Sequence, residues 1–337
     1  MRRTLGRLSL LLLIAVIVAT TLWAALALWF RLPASEAARG FSAGLFGLLG
    51  IATVIALFGR HRRFAVIGYA VVFASLLAWW STIKPPVDVD WSADVARQVT
   101  GTIEDDVLTL AGVRNFEWRG ETDFGESWVT RSYDLSKLRT LDLFMSYWAG
   151  PEMAHVIMSF GFEGGGHLAW SIEVRRRVGG AFSPIADLFK SNPLVIVAAD
   201  ERDVVGLRSN IRREDVQLYR LNVSPVAARA LLLEYVSDAN ELSVRPQFYN
   251  SLTTNCTTTI WKMMRAVGDV APFDWRLIVN GYLPEYAYSR GALASGFPLQ
   301  ALKAAAHIDE RAQAVGLSSP DFSKAIRVGV PSPIRSE

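Results

Sequence analysis

His155-Val-Ile-Met-Ser-Phe-Gly-Phe162-Glu-Gly-Gly-Gly-His167-Leu-Ala-Trp-Ser171-Ile-Glu173-Val-Arg175 is two apolar, β-branched and aromatic runs joined by three glycines. Glycine reaches positive φ at little cost, so Glu163–Gly166 reads as the turn of a β-hairpin. A turn centred on Gly164-Gly165 pairs residues whose numbers sum to 328, which sets His155 opposite Glu173 on one face. A slip of one residue would move Glu173 to the other face. The chain therefore carries antiparallel sheet with polar residues spaced along one side of it.

Working outward, Ile103–Leu110 alternates as a strand turning at Ala111-Gly112, and Val113–Arg119 reads as a second with Phe116 and Trp118 on one face. Thr140–Trp148, Pro193–Ala199 and Val216–Val223 read as further strands. Ser224-Pro225 is an N-cap with Pro at the first helical position, opening a helix with Ala228, Leu231, Leu232 and Tyr235 on its apolar side. Strands first and helices afterwards argue an α+β domain. Residues from about Asp274 read as mixed helix and loop, and the polar tail after Ser318 is expected outside regular structure.

Tyr249-Asn-Ser-Leu-Thr-Thr-Asn255-Cys256-Thr257-Thr258-Thr259-Ile-Trp261 begins polar and becomes amphipathic. Asn255 is a good N-cap, which puts Cys256 in the first turn of a helix running to Val267 and ended by Gly268. The positive end of the helix dipole and free N–H groups favour a thiolate there. The competing reading is a small buried apolar residue. A thiol nucleophile needs a base, and His155, His167 and His307 are the histidines after residue 83. His155 is preferred because a strand holds a base rigidly against a helix N-terminus. Glu173 is the choice to orient its ring, with Ser171 the alternative on the same face. Otherwise Glu173 is a solvated partner of Arg175 or Arg177. Asn255, Ser171 and Thr257 are the expected oxyanion or support residues.

The first quarter has a different character. Uncharged apolar runs of 23, 19 and 20 residues cover Leu8–Phe30, Phe41–Gly59 and Phe64–Ile83, each near the roughly 20 residues that cross a bilayer. The first is too long for the apolar part of a signal peptide and lacks a small-residue cleavage site. Arg2, Arg3, Arg7, Arg60, Arg62 and Arg63 against Arg31 and Arg39 place the N-terminus inside. Three crossings then export everything after Lys84, past a stiff Pro85-Pro86 exit, to the periplasmic side of a bacterial inner membrane. The division expected is 1–83 membrane region, 84–270 periplasmic domain and 271–337 helical extension with tail.

Composition narrows the chemistry. The chain's net charge of +3 belongs to residues 1–83, which carry eight Arg and only Glu36, whereas residues 84–337 sum to −4. A basic nucleic-acid footprint on the exported part is thereby argued against. One cysteine excludes an intramolecular disulfide and a multi-thiolate zinc site. No metal or other cofactor is expected.

The hairpin strands, Ser171-Ile-Glu-Val-Arg-Arg, Asp200-Glu-Arg-Asp-Val-Val-Gly-Leu-Arg208 and Phe248-Tyr-Asn-Ser-Leu-Thr-Thr-Asn-Cys-Thr-Thr258 resemble the Lnb N-terminal periplasmic domain family, from about Trp91 to Val267. That family is related to permuted papain-like enzymes such as lecithin retinol acyltransferase, in which the histidine strand precedes the cysteine helix. The resemblance implies a Cys256/His155 pair and, for the naming member, N-acylation of lipoproteins. Three spans ahead of the domain depart from the arrangement expected of that member. The leading expectation is a membrane-anchored thiol acyltransferase acting on phospholipid or lipoprotein acyl groups. A cysteine amidase acting on cell-wall peptides is the second, and a non-catalytic scaffold with a buried, unreactive Cys256 the third.

Overall fold

The computed structural model describes residues 2–333 other than 267, 269 and 270. The chain forms two compact units, Met1–Pro86 with Ser183–Asn192, and Val87–Phe182 with Pro193–Glu337.

The first unit contains α1 (Arg2–Arg31), α2 (Glu36–Ala56), α3 (Arg62–Thr82) and the short α4 (Pro184–Asp187). α1 to α3 are long and apolar enough to cross a membrane. Leu8, Leu12, Ile51 and Phe64 point outward, whereas Ile17, Ala24, Phe46, Tyr69 and Leu76 are buried between helices. This outside-apolar pattern suits lipid, where helices associate through close packing and hydrogen bonds. Gly50 permits such an approach, because a Cβ there would lie 2.3 Å from Thr21 Oγ1. The Tyr69 hydroxyl lies 2.7 Å from Thr20 Oγ1 and 2.9 Å from Thr21 Oγ1, tying α3 to α1. Phe189 stacks on Phe30 and packs against Trp23 and Trp80 at the helix ends.

The second unit is built on an eight-stranded sheet. Its strands are β1 (Thr100–Glu104), β2 (Val107–Arg114), β5 (Trp128–Asp134), β6 (Leu138–Tyr147), β7 (Ala154–Phe162), β8 (His167–Val174), β9 (Leu194–Ala199) and β10 (Asp215–Arg220). The order is β1-β2-β9-β8-β7-β6-β10, with β5 paired to β2, and β3 (Glu117–Trp118) with β4 (Phe124–Gly125) forms a separate pair. Every pairing is antiparallel except β2 with β9. The class is α+β, as the sequence argued.

The central hairpin holds the expected register. Ile157 pairs with Ser171, Ser159 with Ala169 and Gly161 with His167, and Gly164 and Gly165 take φ of 87° and 92°. Even-numbered residues of these strands (Val156, Met158, Phe160, Leu168, Trp170) face one core together with α6 (Pro225–Val244) and α7 (Cys256–Ala266). Ile157 and Ala169 face a second core with α5 (Glu201–Val204), α10 (Asp309–Val315) and α11 (Phe322–Ala325).

Two expectations change. The first turn lies at Asp105-Asp106, where Asp105 takes φ 55°, and β2 runs on through Gly112. The positive φ of Gly112 inserts a bulge, a register shift between Leu110 and Val113, instead of reversing the chain. Second, the described part of the stretch after Ser318, residues 319–333, packs onto the domain: Phe322 and Ile326 are buried in the second core, and Arg327 reaches two buried carboxylates. Two apolar residues a helical turn apart signal too little in sequence, because what holds them is distant. Residues 271–333 lie in the same compact unit as the sheet.

Candidate functional site

The thiol is placed by a helix start. Asn255 Oδ1 accepts the Thr257 and Thr258 N–H groups, each at 2.9 Å, so Asn255 caps α7 and Cys256 is its first residue. Cys256 is buried, 5% exposed, which is the accessibility the scaffold reading expects. It is not, however, an isolated apolar filler. Its Sγ feels His155 and the Val156 backbone N–H, both of which favour the thiolate, and Thr257 Oγ1 lies 3.9 Å away.

The imidazole is placed by β7 and oriented from β8. His155 Nε2 lies 2.6 Å from Ser171 Oγ and 3.1 Å from Glu173 Oε1, and Ser171 Oγ donates to Glu173 Oε1 at 2.6 Å. With Nε2 engaged there, Nδ1 is left for the thiol. The two orienting candidates thus act together, Ser171 wedged between ring and carboxylate. Glu173 is no solvated surface ion, since its second partner is the buried guanidinium of Arg208, 3.0 Å from Oε1.

Arg208 lies in a single π-helical turn, Leu207–Arg212, a local form that recurs at functional sites. It also donates to Glu214 Oε2 at 3.3 Å, and Glu214 accepts from Ser146, the cross-strand neighbour of His155. The sequence reading missed Arg208 as a site residue. Its signal was present as the last residue of a family stretch, but its partner is 35 positions away.

Electrostatics favour an ion pair. Burial pushes the Cys256 thiol up, and the hydrogen bond and charge of His155, the Val156 N–H and Thr257 outweigh it, so the thiol sits below its ordinary value. Burial and Arg208 oppose a charged His155, and Glu173 with Cys256 outweighs them, so His155 sits above its own. Burial likewise works against the Glu173 carboxylate, and His155 with Arg208 hold it well below the usual range. These directions each move the group toward its charged form, thiolate, imidazolium and carboxylate, relative to the same group in isolation.

The expected oxyanion donors are otherwise employed. The Asn255 amide Nδ2 donates to Ser251 O at 2.7 Å and its oxygen caps the helix. The Thr257 N–H is spent on that cap, because a capping side chain consumes the second and third amides of the helix. Among the described hydrogen bonds the Cys256 N–H has no acceptor, which makes it the first-turn amide left for an oxyanion.

A second missed residue is Asn280, buried at the far side of the thiol. Its Nδ2 lies 3.7 Å from Cys256 Sγ. The other histidines are elsewhere: His167 Nδ1 meets Gly165 O at 3.0 Å at the hairpin turn, and His307 Nδ1 pairs with Asp215 Oδ1 at 2.6 Å. Asp215, His307 and Asp309 bring ligand-type atoms within 4.8 Å of one another, but both Asp215 and His307 are exposed and already joined by a hydrogen bond. A cavity of about 450 Å³ is walled by Tyr147, Trp148, Pro151, Asp215, Gly281 and Tyr282.

Residues 124–281 match the family model of the Lnb N-terminal periplasmic domain, the family the motifs resemble. The match begins later than the expected start near Trp91 and extends past α7 to include Asn280. Residues 1–104 match the Rhomboid domain, covering the three apolar helices and β1. The one histidine in that second match, His61, sits between α2 and α3 with its Nε2 accepting from Arg60 Nε at 2.7 Å. No curated protein and no solved structure matches the chain. The molecule is thus a membrane protein in which residues 124–281 are similar to the Lnb N-terminal periplasmic domain.

Proposed function

We propose that this protein is an inner-membrane thiol acyltransferase whose domain works on the periplasmic side. The observation that carries the reading is Cys256, first residue of a capped helix, beside an imidazole whose other nitrogen is held by Ser171 and Glu173. The thiolate attacks the carbonyl carbon of a phospholipid or lipoprotein acyl ester. The Cys256 N–H supports the oxyanion, and His155 gives its proton to the departing alkoxide. The ester C–O bond breaks as the thioester C–S bond forms. An amine or water then attacks the thioester, His155 takes the nucleophile's proton, and the thiolate is released. Dividing the transfer in two avoids one high barrier. No metal or cofactor is invoked, since thiolate and imidazolium supply nucleophile and acid.

The three apolar helices favour a lipid substrate, because confinement to one membrane raises effective concentration. The cavity beside Gly281, walled by aromatic rings, is the proposed entry for substrate. Incubation of the full chain with acyl-labelled phospholipid should leave a hydroxylamine-sensitive label on Cys256. Absence of that label, with turnover of cell-wall peptides instead, would move the same pair to amide hydrolysis.

A further inference from the structure

We infer that Asn280 is a positioning residue of this site: it clasps the imidazole strand to the thiol helix and sets the Thr257 hydroxyl as a donor to the Cys256 thiolate. The inference rests on the thiol chemistry proposed above. Asn280 Oδ1 accepts the Ala154 N–H at 3.0 Å, while Nδ2 donates to Ala154 O at 2.7 Å and to Thr257 Oγ1 at 2.8 Å. Ala154 is the residue before His155, and Thr257 the residue after Cys256. One buried amide therefore fixes the neighbours of both reacting side chains.

The amide's orientation is dictated by chemistry. Ala154 presents an N–H that needs an acceptor and a C=O that needs a donor, so only one of the two amide flips fits. The paired part of β7 and β8 begins at Ile157 and Ser171, so Ala154 lies beyond that ladder and Asn280 completes it. Both N–H groups of Asn280 are thereby used. Because Thr257 Oγ1 accepts from Asn280, its own hydrogen is free to point at Sγ, 3.9 Å away. Thiolates are stabilised by donors, and a donor already held in place costs nothing to orient when charge appears.

The clasp is backed by a tight seat. Gly281 N donates to Glu152 O at 3.0 Å, and Tyr147 donates its hydroxyl to Gly281 O at 2.8 Å. A Cβ at residue 281 would lie 2.0 Å from Pro151 O, so only glycine lets the segment approach the loop leading into β7 this closely.

The test is the rate of Cys256 alkylation against pH, with acyl-thioester formation, in the full chain in detergent micelles. Asn280→Ala and Thr257→Val should each raise the apparent thiol pKa by about one unit. They should also slow thioester formation by about 10²-fold, as misplacement of reacting groups does. Asn280→Asp should raise the thiol pKa further, since a carboxylate then faces the thiolate. Thr257→Ser retains the hydroxyl and should keep the wild-type profile. Should Asn280→Ala not fold, the Thr257→Val and Thr257→Ser pair carries the test alone. A wild-type protein with an ordinary thiol pKa overturns the thiol reading itself. A wild-type protein with a depressed pKa that folded Asn280→Ala and Thr257→Val leave unmoved overturns the role of Asn280.

Discussion

Replacing Arg327 by alanine should destabilise the periplasmic unit by about 3–5 kcal/mol. The guanidinium donates to Glu201 at Oε2 (2.7 Å) and contacts its Oε1, and it reaches Asp142 Oδ2 at 2.8 Å and 3.0 Å. Asp142, on β6, and Glu201, the first residue of α5, are both buried. Asp142 keeps Arg220, at 2.6 Å, but Glu201 keeps only the Ser159 hydroxyl. An uncompensated buried charge is what makes breaking such a pair expensive. An independent route gives a similar figure. Burial alone would raise Glu201, yet Arg327, with smaller help from His167 and Ser159, holds it down at about 2 against an ordinary 4.5, a gap of about 3 kcal/mol at 1.36 kcal/mol per pH unit. The folded value is the lower one, so this stabilisation is present above pH 4.5 and is lost as pH falls through 2. Thermal unfolding of the full chain in micelles, followed by near-ultraviolet circular dichroism, should show the midpoint lowered by on the order of 10 °C at neutral pH. The difference between variant and wild type should shrink toward pH 2. A loss below about 1 kcal/mol, or one independent of pH between 5 and 2, refutes the reasoning.

Cys256→Ser should abolish turnover by orders of magnitude while leaving fold and membrane insertion intact, because a hydroxyl fits the helix start but ionises far less readily. Complementation of a deletion strain at wild-type protein level would return the chain to the scaffold reading. His155→Ala should return the thiol alkylation profile toward that of an ordinary cysteine, whereas His167→Ala and His307→Ala should leave it unchanged, each being tied elsewhere. A shift in the His167 variant alone would reverse the assignment of the base. Glu173→Gln should narrow the pH window of the ion pair from its alkaline side by lowering the His155 value. The readout is the alkaline limb of the alkylation rate, with Ser171→Ala expected to move it less.

Local features were legible in the sequence for a common reason: the residues that cause them are close along the chain. Length and apolarity alone mark the three membrane helices, because a bilayer leaves backbone groups no partner but one another. The glycine turn fixes the register of the β7–β8 hairpin, and with it the facing of His155 and Glu173. Asn255 fixes the start of α7, and so the setting of Cys256 at the positive end of a helix. The Gly112 bulge was misread because positive φ at glycine serves a turn and a bulge equally, and only the neighbouring strand chooses between them.

What tertiary structure decided are the meetings of distant residues. Asn280 reaches Ala154 across 126 positions, Arg327 reaches Asp142 across 185, and Arg208 meets Glu173 only because a π-helical turn faces the sheet there. An isolated Asn or Arg has no periodicity to betray a partner, and its hydrogen bonds are directional enough that the partner is settled by how the sheet and its helices pack. The sequence could therefore nominate a nucleophile, a base and the carboxylate opposite it, each held by local geometry. The groups that fix their distances and charges come from wherever packing brings a donor or a charge beside a buried group that needs one.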